Sequence, residues 1–137
     1  MKRAILLLIL LPIIIPGYSQ QKEVMEVLNT QTRCWNVGDL DCFMQTYWKS
    51  DSLIYIGKDG VTYGWAETYK KYDQEYPDGA TGVLSFNILK LQPLGNENFF
   101  VAGKFFLRRQ EGDTNGHFTL LMRKIDGKWV ITADHSS

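Results

Sequence analysis

Asp126-Gly127 stands between two β-rich runs, Gly116 to Ile125 and Lys128 to His135. A two-residue turn with positive φ at both central positions suits that dipeptide better than almost any other, so the segment reads as a β-hairpin with a type I′ turn. The turn fixes the register by placing Ile125 opposite Lys128. Strict alternation then puts Phe118, Leu120, Met122, Trp129, Ile131 and Ala133 on one face, with His135 at the end of that face. The expected result is a buried sheet face that ends in an ionisable ring.

The N-terminus belongs to a different kind of segment. Lys2 and Arg3 precede an apolar run from Ala4 to Ile15, broken only by Pro12, and Pro16-Gly17-Tyr18-Ser19 reads as a helix-breaking stretch that ends in a small residue. This is the pattern of a cleaved secretory signal, and the run falls short of the roughly 20 apolar residues that span a membrane. Residues 1–19 are therefore read as a signal peptide and 20–137 as one domain. The mature protein is expected to be secreted or periplasmic, with no stable membrane anchor.

Removing Lys2 and Arg3 leaves 13 basic against 15 acidic residues. No basic cluster larger than Arg108-Arg109 or Arg123-Lys124 is present, which argues against a nucleic-acid partner. One residue of the Arg108-Arg109 pair is expected to point inward, and alternation does not say which. Cys34 and Cys42 flank Gly38-Asp39. Export permits a disulfide between them, and two buried free thiols are the alternative, since disulfide geometry is strict. Two cysteines at this spacing, far from both histidines, do not make a metal signature, and no cofactor motif appears.

Val24, Val27, Leu28, Gln31 and Trp35 recur at helical spacing over Lys22 to Val37, with Gly38 as the stop. Asp39 caps a second short helix carrying Leu40, Phe43, Met44, Tyr47 and Trp48. Ser52 to Gly57 reads as a strand. A third helix opens at Gly64 and carries Trp65, Tyr69, Tyr72 and Tyr76 along one stripe. Beyond Gly79 the period becomes that of strands, over Thr81 to Leu94, Asn98 to Gln110, His117 to Ile125 and Lys128 to His135. Three helices followed by an antiparallel meander imply an α+β fold with the helices on one face of a curved sheet.

The hairpin ending Asp134-His135-Ser136-Ser137, preceded by Gly112-Asp113-Thr114-Asn115-Gly116-His117 and by Gly60-Val-Thr-Tyr-Gly-Trp65, resembles the nuclear transport factor 2-like (NTF2-like) superfamily. Within it the chain is most similar to small DUF4440/SnoaL-like proteins, relatives of the calcium/calmodulin-dependent kinase association domain. The resemblance covers residues 22–137. It implies an NTF2-like/cystatin-like cone whose cavity takes a small ligand, and a homodimer. The superfamily spans steroid isomerases, dehydratases, epoxide hydrolases and oligomerisation hubs, so the fold alone does not assign chemistry. Leu120 and Ser136 stand at two positions where the kinase association domain carries pocket arginines.

The site expected from these readings contains His135 and Phe118 from the hairpin, Trp65, Tyr69 and Tyr72 from the third helix, and Tyr47 and Trp48 from the second. Phenols in such a wall need polar partners, which a cavity supplies. Asp134, one residue from His135, is expected on the opposite face, meeting Thr119, solvent or a partner subunit, and His117 likewise opposes His135. The leading functional reading is ligand binding without catalysis. The alternative is an isomerase, dehydratase or hydrolase in which His135 is the general base and Tyr55 donates a hydrogen bond.

Overall fold

The computed structural model describes residues 16–77 and 80–137. Helix α1 (Pro16–Asn36) and the short α2 (Leu40–Met44) form a helical hairpin, β1 (Ile54–Gly57) and β2 (Gly60–Tyr63) a small β-hairpin, and α3 (Trp65–Glu75) follows. Four long strands complete the chain: β3 (Val83–Pro93), β4 (Asn98–Arg108), β5 (Thr114–Ile125) and β6 (Lys128–Ser136). They form one six-stranded sheet in the order β2-β1-β6-β5-β4-β3. Every pairing is antiparallel except β1 with β6, which is parallel and places Tyr55 beside Asp134. The α+β reading holds with its antiparallel meander over β3 to β6, and the β1–β6 pair adds a parallel edge to it. Among the described residues no helix is long and apolar enough to cross a membrane.

The apolar stripe of α1 packs on the concave face of the sheet, where Val24, Leu28, Phe99, Val101, Met122 and Ile131 are almost wholly shielded from water. Gly38 ends α1 in the left-handed region at φ 74°, and its N–H donates to Trp35 O. Asp39 then caps α2 by accepting from the Cys42 N–H at 2.9 Å. A Cys34–Cys42 disulfide fastens the two helices together, closing the alternative that the sequence left open. Near the other end of α1, Glu23 accepts from Lys124 Nζ at 2.9 Å and from Trp129 Nε1 at 2.8 Å, tying the helix to the terminal hairpin.

Three sequence expectations change. Residues 16–19 do not break the helix but form the described start of α1, while residues 1–15, where most of the expected signal lies, fall outside the described residues. Helix α2 stops at Met44, and Tyr47 instead bridges to Ile131 of β6. The third change alters the site. Asp126 and Gly127 adopt φ values of 49° and 76°, and Ile125 pairs with Lys128 as the type I′ turn requires. Five residues later the alternation fails, because Met122 pairs with Ile131 and Leu121 with Ala133, leaving Thr132 as an extra residue in β6. Such a bulge reverses the facing of everything beyond it. Ile131 N–H donates to Thr46 O, and Trp48 N–H donates to Ile131 O, so the bulge lies where β6 takes on a new edge partner.

Candidate functional site

The helices and the concave sheet face line an inner chamber of about 110 Å3. Its helical wall presents Gln31 and Trp35 from α1, Phe43 from α2, Tyr47 from the turn after it, and Tyr72 and Tyr76 from α3. The sheet contributes Phe86, Phe105, Phe118 and Leu120, with Tyr55, Asp134 and Ser136 toward the β1–β6 edge. Trp35 stands edge-on to Phe43 and Tyr76 at centroid separations of 4.9 and 4.7 Å, the geometry that ring quadrupoles favour. Tyr72 extends the cluster to Tyr55 at 5.5 Å. An outer chamber of about 510 Å3 shares Tyr55, Tyr76, Phe105 and Ser136 with the inner one.

Asp134 is the ionisable group that the bulge turns inward, with 5% of its surface exposed. Tyr47 Oη donates to its Oδ2 at 2.7 Å and Ser136 Oγ to its Oδ1 at 2.9 Å. Burial raises its pKa above the ordinary aspartate value, against the opposing pull of those two donors and of nearby His135. Burial also pushes the phenols of Tyr47 and Tyr72 well above the usual tyrosine range and raises that of Tyr55, with the charge of Asp134 adding to the rise at Tyr47 and Tyr55. The chamber thus holds a carboxyl group among phenols that keep their protons. Gln31 adds a second polar element. It is 2% exposed and lines the chamber, and no side-chain hydrogen bond from its amide is formed among the described residues.

The rim is charged. Lys71 pairs with Glu75 at 2.8 Å and with Asp59 at 3.6 Å. Arg109 lies over the Tyr76 ring, 4.8 Å from its centroid, and is 3.5 Å from Glu111. Of the two adjacent arginines, Arg109 lines the outer chamber and Arg108 is exposed.

An NTF-2 like protein of unknown function from Shewanella oneidensis MR-1 has this architecture with a TM-score of 0.83. It is 40% identical in sequence, over 86% of this chain and 98% of its own. This chain belongs to the NTF2-like family. A ketosteroid isomerase-like protein from Erwinia carotovora atroseptica SCRI1043 shares the fold at TM-score 0.70 and 15% identity, over 86% of this chain and 95% of its own. A putative calcium/calmodulin-dependent protein kinase type II association domain from Thiobacillus denitrificans ATCC 25259 does so at 0.72 and 13%, over 82% and 92%. No family model and no curated protein matches the sequence.

Within this NTF2-like domain the residues expected at the site divide sharply. Tyr47, Tyr55, Tyr72 and Phe118 line the inner chamber. His135 does not: beyond the bulge it pairs with Thr119 on the outer face and is exposed, so the placement that would make it a cavity ligand or general base is corrected. Asp134 takes the inward position assigned to His135, opposite Leu120 rather than Thr119. His117 is exposed on the outer face as well, so the two histidines share a face instead of opposing each other. Trp65 and Tyr69 brace α3 against α2, through Trp65 Nε1 to Met44 O and Tyr69 Oη to Asp41 Oδ1, both at 2.8 Å, and Trp48 is half-buried away from the chamber.

Trp35, Phe43 and Gln31 join the site without having been singled out for it, and Tyr76 joins it from the α3 stripe. Gln31 left a trace in the sequence as an uncharged polar residue inside the apolar stripe of α1. Asp134 left none, because alternation assigns it outward and nothing around Thr132 marks a bulge.

Proposed function

We propose that this domain binds a small, partly apolar molecule in the inner chamber. The observation that carries the reading is a pair of polar groups, Gln31 and Asp134, facing an aromatic-walled space. A few convergent polar groups in an otherwise apolar pocket are what ligand sites provide. Ligand-observed NMR with a fragment library tests it. Hits are expected to weaken when Phe118 or Tyr72 is replaced by Ala and to be unaffected by His135→Ala. A blank screen, or hits that respond to His135 and ignore Tyr72, would overturn the reading.

A homodimer through the convex sheet face is part of the proposal. Val83 and Phe106 are exposed near each other on β3 and β4 and Leu121 further along the same face, apolar side chains that a partner would cover. Light scattering is expected to give twice the chain mass, reduced to one by Leu121→Glu; a monomer at high micromolar concentration rejects it. Export with removal of residues 1–19 completes the proposal. Its check is the intact mass of protein recovered from the envelope or medium.

A second reading, proton-transfer catalysis, is favoured by one observation, the position of Asp134 beside Tyr47 and Tyr55. A carboxyl with a raised pKa and phenolic donors are the parts of a base with an oxyanion partner. In this version Asp134 replaces His135 as the base. Exchange of a bound ligand's acidic C–H for deuterium, lost in Asp134→Asn, would support it; unchanged exchange in that variant would exclude it.

A further inference from the structure

We infer that the ligand carries an alkylated ammonium head, held in the inner chamber between aromatic faces and the carboxyl of Asp134. The inference rests on the ligand-binding reading above and names the chemical class. Nine aromatic side chains line a space whose carboxyl group has hydroxyl donors and, among the described residues, no lysine or arginine in the lining with it; its neighbour His135 points to the outer face. Ring faces attract cations, and the attraction grows when water is excluded. A buried carboxylate without a counter-charge is costly, and a ligand cation supplies that charge.

The protein already uses the same contact on its own outer wall, where the Arg109 guanidinium covers Tyr76. On the inner side no arginine or lysine is among the described lining residues. An anionic head would therefore meet Asp134 with no compensating charge.

Size narrows the class further. A dry cavity of about 150 Å3 takes a benzene, so a chamber of about 110 Å3 suits a head of about four heavy atoms, such as trimethylammonium. The Gln31 amide lies in the same chamber to meet a hydroxyl or polarised C–H of the ligand. The remainder of the molecule extends into the outer chamber, past Tyr55 and Tyr76 to the rim. The rim cations do not bar entry. Lys71 is neutralised by Asp59 and Glu75, Arg109 is paired with Glu111, and Lys58 is exposed on the rim.

Calorimetric titration of the folded protein with choline and with its uncharged isostere, 3,3-dimethylbutan-1-ol, tests the charge directly. Choline is expected to bind at least about tenfold more tightly, since shape is held constant and only the charge differs. Asp134→Asn should bring the two within about twofold while leaving the alcohol's affinity in place. The comparison on the unmodified protein decides the matter even if that variant folds poorly. Equal affinities overturn the ammonium assignment and leave the chamber as a binding site. Failure of both probes overturns it too, and the wider ligand-binding reading falls with it only if the fragment screen is also blank.

Discussion

Tyr47 donates its phenolic proton to Asp134 at 2.7 Å, across 87 residues of sequence, joining the turn after α2 to the end of β6. Neither residue is more than 5% exposed. The bond closes the inner chamber at its polar end. It also holds a carboxyl group where ionisation is disfavoured.

That placement gives a sign to the pH dependence. In the unfolded chain Asp134 ionises near 3.8, and in the folded protein only at higher pH. Between these values the unfolded state holds fewer protons, so this residue's contribution to stability falls as pH rises. Asp134→Asn removes the loss while its amide still meets the Tyr47 and Ser136 hydroxyls. The variant is expected to melt above the unmodified protein at pH 7 and together with it near pH 3. Thermal melts across that range check it; a variant less stable at pH 7 than at pH 3, relative to the parent, contradicts it.

Glu23 should behave in the opposite sense. Its hydrogen bond from Lys124 holds its pKa below the ordinary glutamate value, so the stability it contributes is present at neutral pH and lost as pH falls through the folded value. The pair is partly exposed, which limits its worth to about 1 kcal/mol or less. Glu23→Gln is expected to cost that much at pH 7 in low salt, less in high salt, and progressively less as pH falls through the folded value. Denaturant titrations at two ionic strengths measure it.

The disulfide offers a test independent of charge. Cys34 and Cys42 are eight residues apart, and the chain-entropy model gives a loop of this size roughly 2–3 kcal/mol. Replacing both by Ser should lower stability by about that amount in denaturant titration. Because Cys34 is adjacent to Trp35, loosening α1 against α2 should also weaken any ligand that rests against Trp35 and Phe43. Unchanged stability would mean that the helical hairpin is held by packing alone.

Much of this architecture is written in local patterns. Gly38 and Asp39 mark the α1–α2 junction, and Asp126-Gly127 fixes the register of the last hairpin as far as the Met122–Ile131 pair. Their conformations depend on neighbours a few positions away, which is why they are legible. The inward turn of Asp134 depends on Thr132, whose bulge forms where Ile131 exchanges backbone hydrogen bonds with Thr46 and Trp48. That long-range contact has no local signature, so alternation carried His135 to the wrong face. The aromatic stripe on α3 shows the same limit. Its spacing revealed the helix but not that Trp65 and Tyr69 face α2 while Tyr72 and Tyr76 face the chamber.

Gly103 links the sheet's packing to the site. It sits on β4 between Ile88 and Phe118, and a Cβ there would lie 2.6 Å from Phe118 Cζ and 2.9 Å from Asn87 O. The backbone oxygen is held in the sheet, so the ring has to move. Phe118 packs against Phe86 at 4.9 Å, and both line the inner chamber, so displacement costs packing and changes the cavity's shape. Overpacking of this kind costs about 1–3 kcal/mol. Gly103→Ala is therefore expected to fold with that loss and to bind chamber ligands at least about tenfold more weakly, which corresponds to about 1.4 kcal/mol of lost contact. Arg108→Ala, an exposed change a few residues along the same strand, should leave both properties unaltered. Calorimetry on the two variants with one fragment hit separates the outcomes: equal affinities would show that Phe118 does not shape the binding space.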